Sequence, residues 1–130
     1  MAGTWFERHL LVALGSALGG VARYAIGGLV DARVGTTFPW GTLVVNVTGC
    51  FVLGLFFTAA IDRLALDPRW RLLMGVGFCG GYTTFSTFGW ETAGLLEGGS
   101  FAFAAANVAG SAVAGITAVY AGAALARWLW

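Results

Sequence analysis

Long apolar stretches dominate the pattern of hydrophobic and polar positions along this chain of 130 residues. A membrane-spanning helix needs about 20 mostly apolar residues in a row, and four stretches meet that requirement. Short polar connections with arginine, aspartate or proline separate them. The pattern predicts an all-α integral membrane protein with four transmembrane helices in one domain, residues 1–130. The predicted helices cover residues 10–30, 40–61, 70–96 and 101–129.

The third predicted span contains a stretch that is unusual for a membrane helix. Residues 75–90 read GVGFCGGYTTFSTFGW, with two glycines and two threonines near the centre. Glycine weakens a helix, and threonine side chains compete for backbone hydrogen bonds. Because lipid cannot satisfy freed backbone groups, irregular backbone at this depth must be buried in protein or line a wet cavity. The stretch therefore predicts a third helix that is broken at mid-membrane and carries the functional site.

Composition excludes several other classes of protein. Hydrophobic residues make up 58% of the chain and charged residues only 10%, whereas about 25% of residues are charged in soluble domains. The net charge of +1 and the absence of a basic tract argue against a nucleic-acid partner. Cys50 and Cys79 lie inside apolar spans, which is typical of buried thiols rather than of a disulfide or metal site. The first apolar run is too long for a cleaved signal peptide.

The arginines are distributed unevenly between the two predicted sides of the membrane. The side that holds both termini carries Arg8, Arg63, Arg69, Arg71 and Arg127. The other side carries Arg33 and Arg23. By the positive-inside rule, this bias places both termini in the cytoplasm.

The polar residues inside the spans are almost all neutral, which argues against an enzyme. The only histidine, His9, is peripheral, and Glu91 is the only acidic residue inside a predicted span, so no catalytic set is present. An interhelical hydrogen bond would explain each neutral residue alone, but their convergence with a broken helix favours a polar path. These residues are Asn46, Thr48, Thr83, Thr84, Ser86, Thr87, Asn107, Ser111 and Thr117.

Such a path suits a small anion. Amide and hydroxyl groups donate hydrogen bonds without a fixed charge, and the ring edges of Phe85 and Phe88, three residues apart, are electropositive. Packing in the core or against lipid is the alternative for this pair. Carbonyls freed near Gly80 and Thr83 would suit a bound cation such as Na⁺. Arg23 would either snorkel to the interface or form a positive vestibule.

Three segments resemble the fluoride channels of the Fluc or CrcB family. They are GGVARY at residues 19–24, GTLVVNVTG at residues 41–49 and GGYTTFSTF at residues 80–88, and the resemblance covers essentially the whole chain. It implies an antiparallel, dual-topology dimer in the cell inner membrane, with two pores that export fluoride passively. It also implies a structural Na⁺ at the centre, where the breaks of the third helices meet.

The resemblance also implies roles for individual residues. Asn46 would be the pore-lining amide, the phenylalanine pair would contact fluoride, three hydroxyls would form a polar track and an arginine would line the vestibule. The pore and vestibule residues are Asn46, Phe85, Phe88, Thr42, Thr87, Ser111 and Arg23. The Na⁺ would be held by the backbone carbonyls of Gly80 and Thr83.

Three alternatives remain open from the sequence. A dual-topology protein is expected to have nearly balanced arginines, so the bias leaves a heterodimer with a second homologue open beside the homodimer. A small multidrug-type, proton-coupled exporter has a similar architecture but needs a carboxylate in its first span, and residues 10–30 contain none. A non-transporting membrane assembly subunit would use its glycine-rich helices only to dock a partner.

Overall fold

The computed structural model of the protein describes residues 4–130, which form helices joined by short connections. Helix α1 covers Trp5–Val34 and helix α2 covers Trp40–Phe57, continuing as a π-helical segment over Thr58–Arg63. Helix α3 denotes residues 68–82, in which a π-helical segment, Arg71–Cys79, lies between short α-helical ends. Helices α4 and α5 cover Phe85–Glu97 and Phe101–Leu129.

Within residues 4–130, three helices are long and apolar enough to cross a membrane. They are Trp5–Val34, Trp40–Arg63 and Phe101–Leu129. Helices α3 and α4 are shorter, because the chain is extended between them at Thr83 and Thr84. The prediction of an all-helical, multi-pass integral membrane protein is confirmed.

Helix α1 extends beyond the apolar stretch of residues 10–30 at both ends. At its N-terminus the hydroxyl of Thr4 accepts a hydrogen bond from the N–H of Glu7, which satisfies one of the free donors of the first turn. At its C-terminus Gly35 adopts a left-handed conformation with φ 59°, which ends the helix. Hydropathy marks the part of a helix that suits lipid, whereas capping residues determine where the helix begins and ends.

The helices place the polar connections at two opposite ends of the molecule. Phe38, just before α2, lies against Phe103 near the start of α5, and Gly54 further along α2 approaches the backbone of Val119 further along α5, so α2 and α5 run parallel. A salt bridge of 3.0 Å joins Arg69 at the start of α3 to Glu7 at the start of α1. We call this end, with Arg8, Arg63, Arg69, Arg71 and Arg127, the arginine-rich end. The connections 35–39 and 98–100 line one cavity at the opposite end.

Glycines allow α1 and α3 to pack with their backbones in contact. Gly15 and Gly19 are four residues apart, a spacing of small residues that lets helix backbones approach closely, and both glycines are buried. A Cβ at Gly15 would collide with the carbonyl oxygen of Leu73, and a Cβ at Gly19 with that of Phe78. A backbone carbonyl cannot move aside as a flexible side chain can, so a methyl group does not fit at either position.

We expect Gly19→Ala to destabilise the protein, whereas Gly28→Ala should not. Overpacking of a well-packed core typically costs about 1–3 kcal/mol, and here the methyl group meets backbone. Gly28 lies on the same helix, and no atom of residues 4–130 lies within 4 Å of a Cβ added there. Thermal unfolding in detergent should show a lower melting temperature for Gly19→Ala only. Equal melting temperatures for the two variants would contradict the close packing of α1 on α3.

Candidate functional site

The helix break lies at two threonines midway along residues 68–97. Thr83 and Thr84 have extended backbones, with φ/ψ of −81°/158° and −149°/121°. The preceding glycines do not form the break, because Gly80 and Gly81 are helical. A Cβ at Gly81 would instead press against the backbone of Ser16, so this glycine serves the contact between α1 and α3.

Asn46 binds both backbone groups of the second break residue. Its side-chain Nδ2 donates to the carbonyl oxygen of Thr84 at 3.0 Å, and its Oδ1 accepts from the N–H of Thr84 at 2.7 Å. The two bonds together fix the orientation of the amide, since its oxygen and nitrogen cannot be exchanged. Thr84 is only 8% exposed, and an unpaired backbone group at this depth would cost several kcal/mol in the absence of water. Asn46 therefore stabilises the broken backbone.

Thr84 also begins the second half of the broken helix. Its hydroxyl oxygen accepts a hydrogen bond from the N–H of Thr87 at 3.2 Å and donates to the Thr87 hydroxyl at 3.0 Å. This is the ordinary way in which threonine caps a helix N-terminus. A new helix therefore starts after only two extended residues.

These contacts free the carbonyls of Gly80 and Thr83 from helical pairing. In a continuous helix, the N–H of Thr84 would donate to Gly80 and that of Thr87 to Thr83. Here the first N–H donates to Asn46 and the second to the Thr84 hydroxyl. The oxygens predicted to hold a cation are thus available in the chain, and Gly80 lies on its surface.

The two phenylalanines after the break lie side by side. Their ring centroids are 5.6 Å apart and the rings are tilted by 37°. Phe85 is 83% exposed, and Phe88 is partly buried. A large apolar ring so exposed contributes little to the core of its own chain.

A cavity of about 400 Å³ between α1, α2 and α4 gathers several of the predicted residues. Its walls include Arg23 from α1, Thr42 from α2 and Thr87 from α4, together with the break residue Thr84. Asn46 adjoins the cavity through its bonds to Thr84. The cavity thus combines one guanidinium group and neutral hydroxyl donors, which suit a small anion, with the carboxylates of Asp31 and Glu91 in its wall.

Glu91 also lies in the wall of this cavity, and the sequence analysis assigned it no role. The hydroxyl of Thr42 donates to Glu91 Oε1 at 2.8 Å, and Oε2 is buried without a hydrogen-bond partner among residues 4–130. The same side chain borders the cavity of about 460 Å³ at connections 35–39 and 98–100. Its position inside an apolar span was the one available signal, since acidic residues at such depth are rare and functional.

The polar residues of α5 form a separate group. Asn107 is 1% exposed, and its Nδ2 donates to the hydroxyl of Thr92 on α4 at 3.0 Å. Ser111 donates to the Asn107 side chain at 3.4 Å. Neither residue lines the cavity of Arg23 and Thr42, so the chain does not bring Ser111 together with the other predicted hydroxyls.

The sequence profile of the family described as "CrcB-like protein, Camphor Resistance (CrcB)" matches residues 10–123. The chain belongs to this family. The match confirms the resemblance carried by the segments at residues 19–24, 41–49 and 80–88.

Curated relatives of this CrcB-like protein carry the name of an ion channel. The "Fluoride-specific ion channel FluC" of Solibacter usitatus is 52% identical over 120 residues, which cover 92% of this chain and 98% of that protein. A protein of the same name from Koribacter versatilis is 43% identical over 93% of this chain and 96% of its own. "Fluoride-specific ion channel FluC 1" of Streptomyces avermitilis is 46% identical over 93% of this chain and 97% of its own. The relatives are thus named as channels, not as enzymes.

Proposed function

We propose that this protein is a fluoride-specific ion channel that exports fluoride passively across the cell inner membrane. The observation that carries the proposal is the match of nearly the whole chain to relatives that bear this name. Fluoride enters cells as the neutral acid and is trapped after dissociation. The membrane potential then drives the anion outwards with about 2.3 kcal/mol per charge for every 100 mV.

The geometry supports a path with neutral donors and with one arginine at its entrance, where the carboxylates of Asp31 and Glu91 also lie. Arg23 in the cavity wall would attract the anion, and the hydroxyls of Thr42 and Thr87 would replace part of its hydration shell. The side-chain amide of Asn46 uses one of its two N–H groups and its oxygen to bind Thr84. Its second N–H would donate to the anion at the next step of the path. The exposed edge of Phe85, with Phe88 and Ser111, would extend the path towards a partner subunit.

A second copy in antiparallel orientation would complete two such paths. Phe85 and Gly80 lie on the surface of the chain, and an added Cβ at Gly20 or Gly89 would have no atom within 4 Å. Small residues of this kind line helix contacts in membranes. We favour a homodimer of two four-span subunits. The uneven distribution of arginines supports an alternative, a heterodimer with a homologue whose arginines lie mainly at the opposite end.

A structural Na⁺ at the dimer centre agrees with the donor chemistry. Hard cations prefer oxygen ligands, and the break frees the carbonyls of Gly80 and Thr83 on each subunit. One subunit offers too few of these oxygens to surround a cation, and a symmetric second copy would double the set. The bound ion would hold the two breaks together.

Removal of Na⁺ is expected to lower the melting temperature of the purified protein. A ligand that binds only the folded state stabilises it by about 2.7 kcal/mol at 100 times its dissociation constant. Thermal unfolding should be compared in sodium chloride and in choline chloride at equal ionic strength. Identical melting temperatures over a wide range of Na⁺ concentrations would contradict the site.

Reconstitution into liposomes tests the proposed function directly. Liposomes loaded with fluoride should release it rapidly in the presence of the protein, and chloride-loaded liposomes should release nothing. Release of both anions would contradict selectivity. Absence of any release would contradict a self-sufficient channel, and co-expression with a second homologue would then distinguish a heterodimer from an assembly subunit.

A further inference from the structure

A groove at the arginine-rich end combines cationic, aromatic and apolar walls. It measures about 510 Å³ and lies between the first turns of α1 and the beginning of α3. Its lining residues are Trp5, Arg8, His9, Val12, Ala13 and Leu72. None of them belongs to the cavity or to the helix break described above.

The polarity of the groove changes along the axis of α1. Trp5, Arg8 and His9 lie at the outer end, whereas Val12 and Ala13 lie one turn further in, a rise of about 6 Å from Arg8 to Val12. The indole ring of Trp5 lies against the His9 ring, with centroids 4.0 Å apart and the planes tilted by 33°. Tryptophan at this level is typical of the membrane–water interface. The groove therefore leads from headgroup depth into the hydrocarbon.

The charge at this end is positive and only partly compensated. Five arginines face three acidic residues, which are Glu7, Asp62 and Asp67. Glu7 is paired with Arg69, and Asp67 caps α3 by accepting from the N–H of Arg69 at 2.8 Å. Within residues 4–130, Arg8 forms no ion pair. Arg71, next to Leu72, has a buried Nε without a partner in this range.

We propose that this groove binds an anionic phospholipid, with the phosphate beside Arg8 and an acyl chain along Val12, Ala13 and Leu72. Basic pockets between transmembrane helices are suited to anionic headgroups. The apolar floor of the groove would bury the acyl chain of a lipid, a contribution to binding that a free phosphate lacks. The lipid would anchor the N-terminus of α1 against α3.

Native mass spectrometry of the purified protein, titrated with phosphatidylglycerol or phosphatidylcholine, tests this site. Phosphatidylglycerol should bind more tightly than phosphatidylcholine. Arg8→Gln should weaken the binding of phosphatidylglycerol about fivefold, as expected for the loss of one arginine near an anionic lipid. Arg127→Gln is the matched control, since Arg127 is exposed at the same end but does not line the groove. Equal weakening in both variants, or equal binding of the two lipids, would overturn the proposal.

A second pair of variants tests the acyl-chain part without a change in charge. Ala13→Phe should fill the inner groove and reduce phosphatidylglycerol binding, whereas Ala17→Phe, at an exposed position of α1 outside the groove, should not. Unchanged binding in Ala13→Phe would overturn the proposed position of the chain. Inorganic phosphate should not compete with the lipid at the same concentration, and effective competition would indicate an anion site instead. Fluoride release should stay at the wild-type rate in Arg8→Gln.

Discussion

Asn46→Leu is expected to reduce fluoride release to the rate of protein-free liposomes and to lower the melting temperature. Leucine has a similar volume but cannot pair with the N–H and carbonyl of Thr84, which Asn46 binds at 2.7 and 3.0 Å. Each buried backbone group left unpaired costs about 1–3 kcal/mol. Liposome flux and thermal unfolding should be measured on the same preparation.

Asn46→Asp separates the effect of losing Asn46 on fluoride flux from its effect on stability. The carboxylate keeps an acceptor for the N–H of Thr84, but it loses the donor to the Thr84 carbonyl and places a negative charge beside the proposed anion path. This variant should therefore melt above Asn46→Leu and yet release no fluoride. Wild-type flux in either variant would remove Asn46 from the path.

Phe85→Ile is expected to abolish fluoride flux while the fold and the proposed dimer remain intact. Phe85 is 83% exposed in the subunit, so its loss should change the core of the chain little. Isoleucine is apolar but lacks the electropositive ring edge that an anion would contact. Flux in liposomes, size-exclusion elution and the melting temperature together distinguish loss of conduction from loss of assembly.

Phe101→Ile provides the matched control for this prediction. Phe101 is also a highly exposed phenylalanine, at the start of α5 and outside the cavity that Arg23 and Thr42 line. It should retain wild-type flux. Normal fluoride release by Phe85→Ile would remove the aromatic contact from the mechanism, and equal loss in both variants would show that exposed aromatic surface matters only for insertion or assembly.

Much of the architecture was determined by the amino-acid sequence alone. Apolar stretches of the required length predict membrane helices, because the lipid itself selects for continuous apolar sequence and for internal hydrogen bonding. The spacing of Gly15 and Gly19 likewise predicts a close helix contact, since only small residues allow helix backbones to meet. The motif at residues 80–88 was specific enough to indicate the family.

Only the tertiary structure decided where the third helix breaks and what stabilises the break. Local propensity does not distinguish the glycines at residues 80 and 81 from the threonines at residues 83 and 84, but both glycines are helical and Gly81 packs against Ser16. The extended residues are the threonines that follow, because Asn46 is 38 residues away in sequence and yet offers both a donor and an acceptor to Thr84. The contact of Thr42 with Glu91 arises in the same way, from helices distant in sequence. Pairings of this kind depend on which helix faces meet, and hydrophobic periodicity does not specify them.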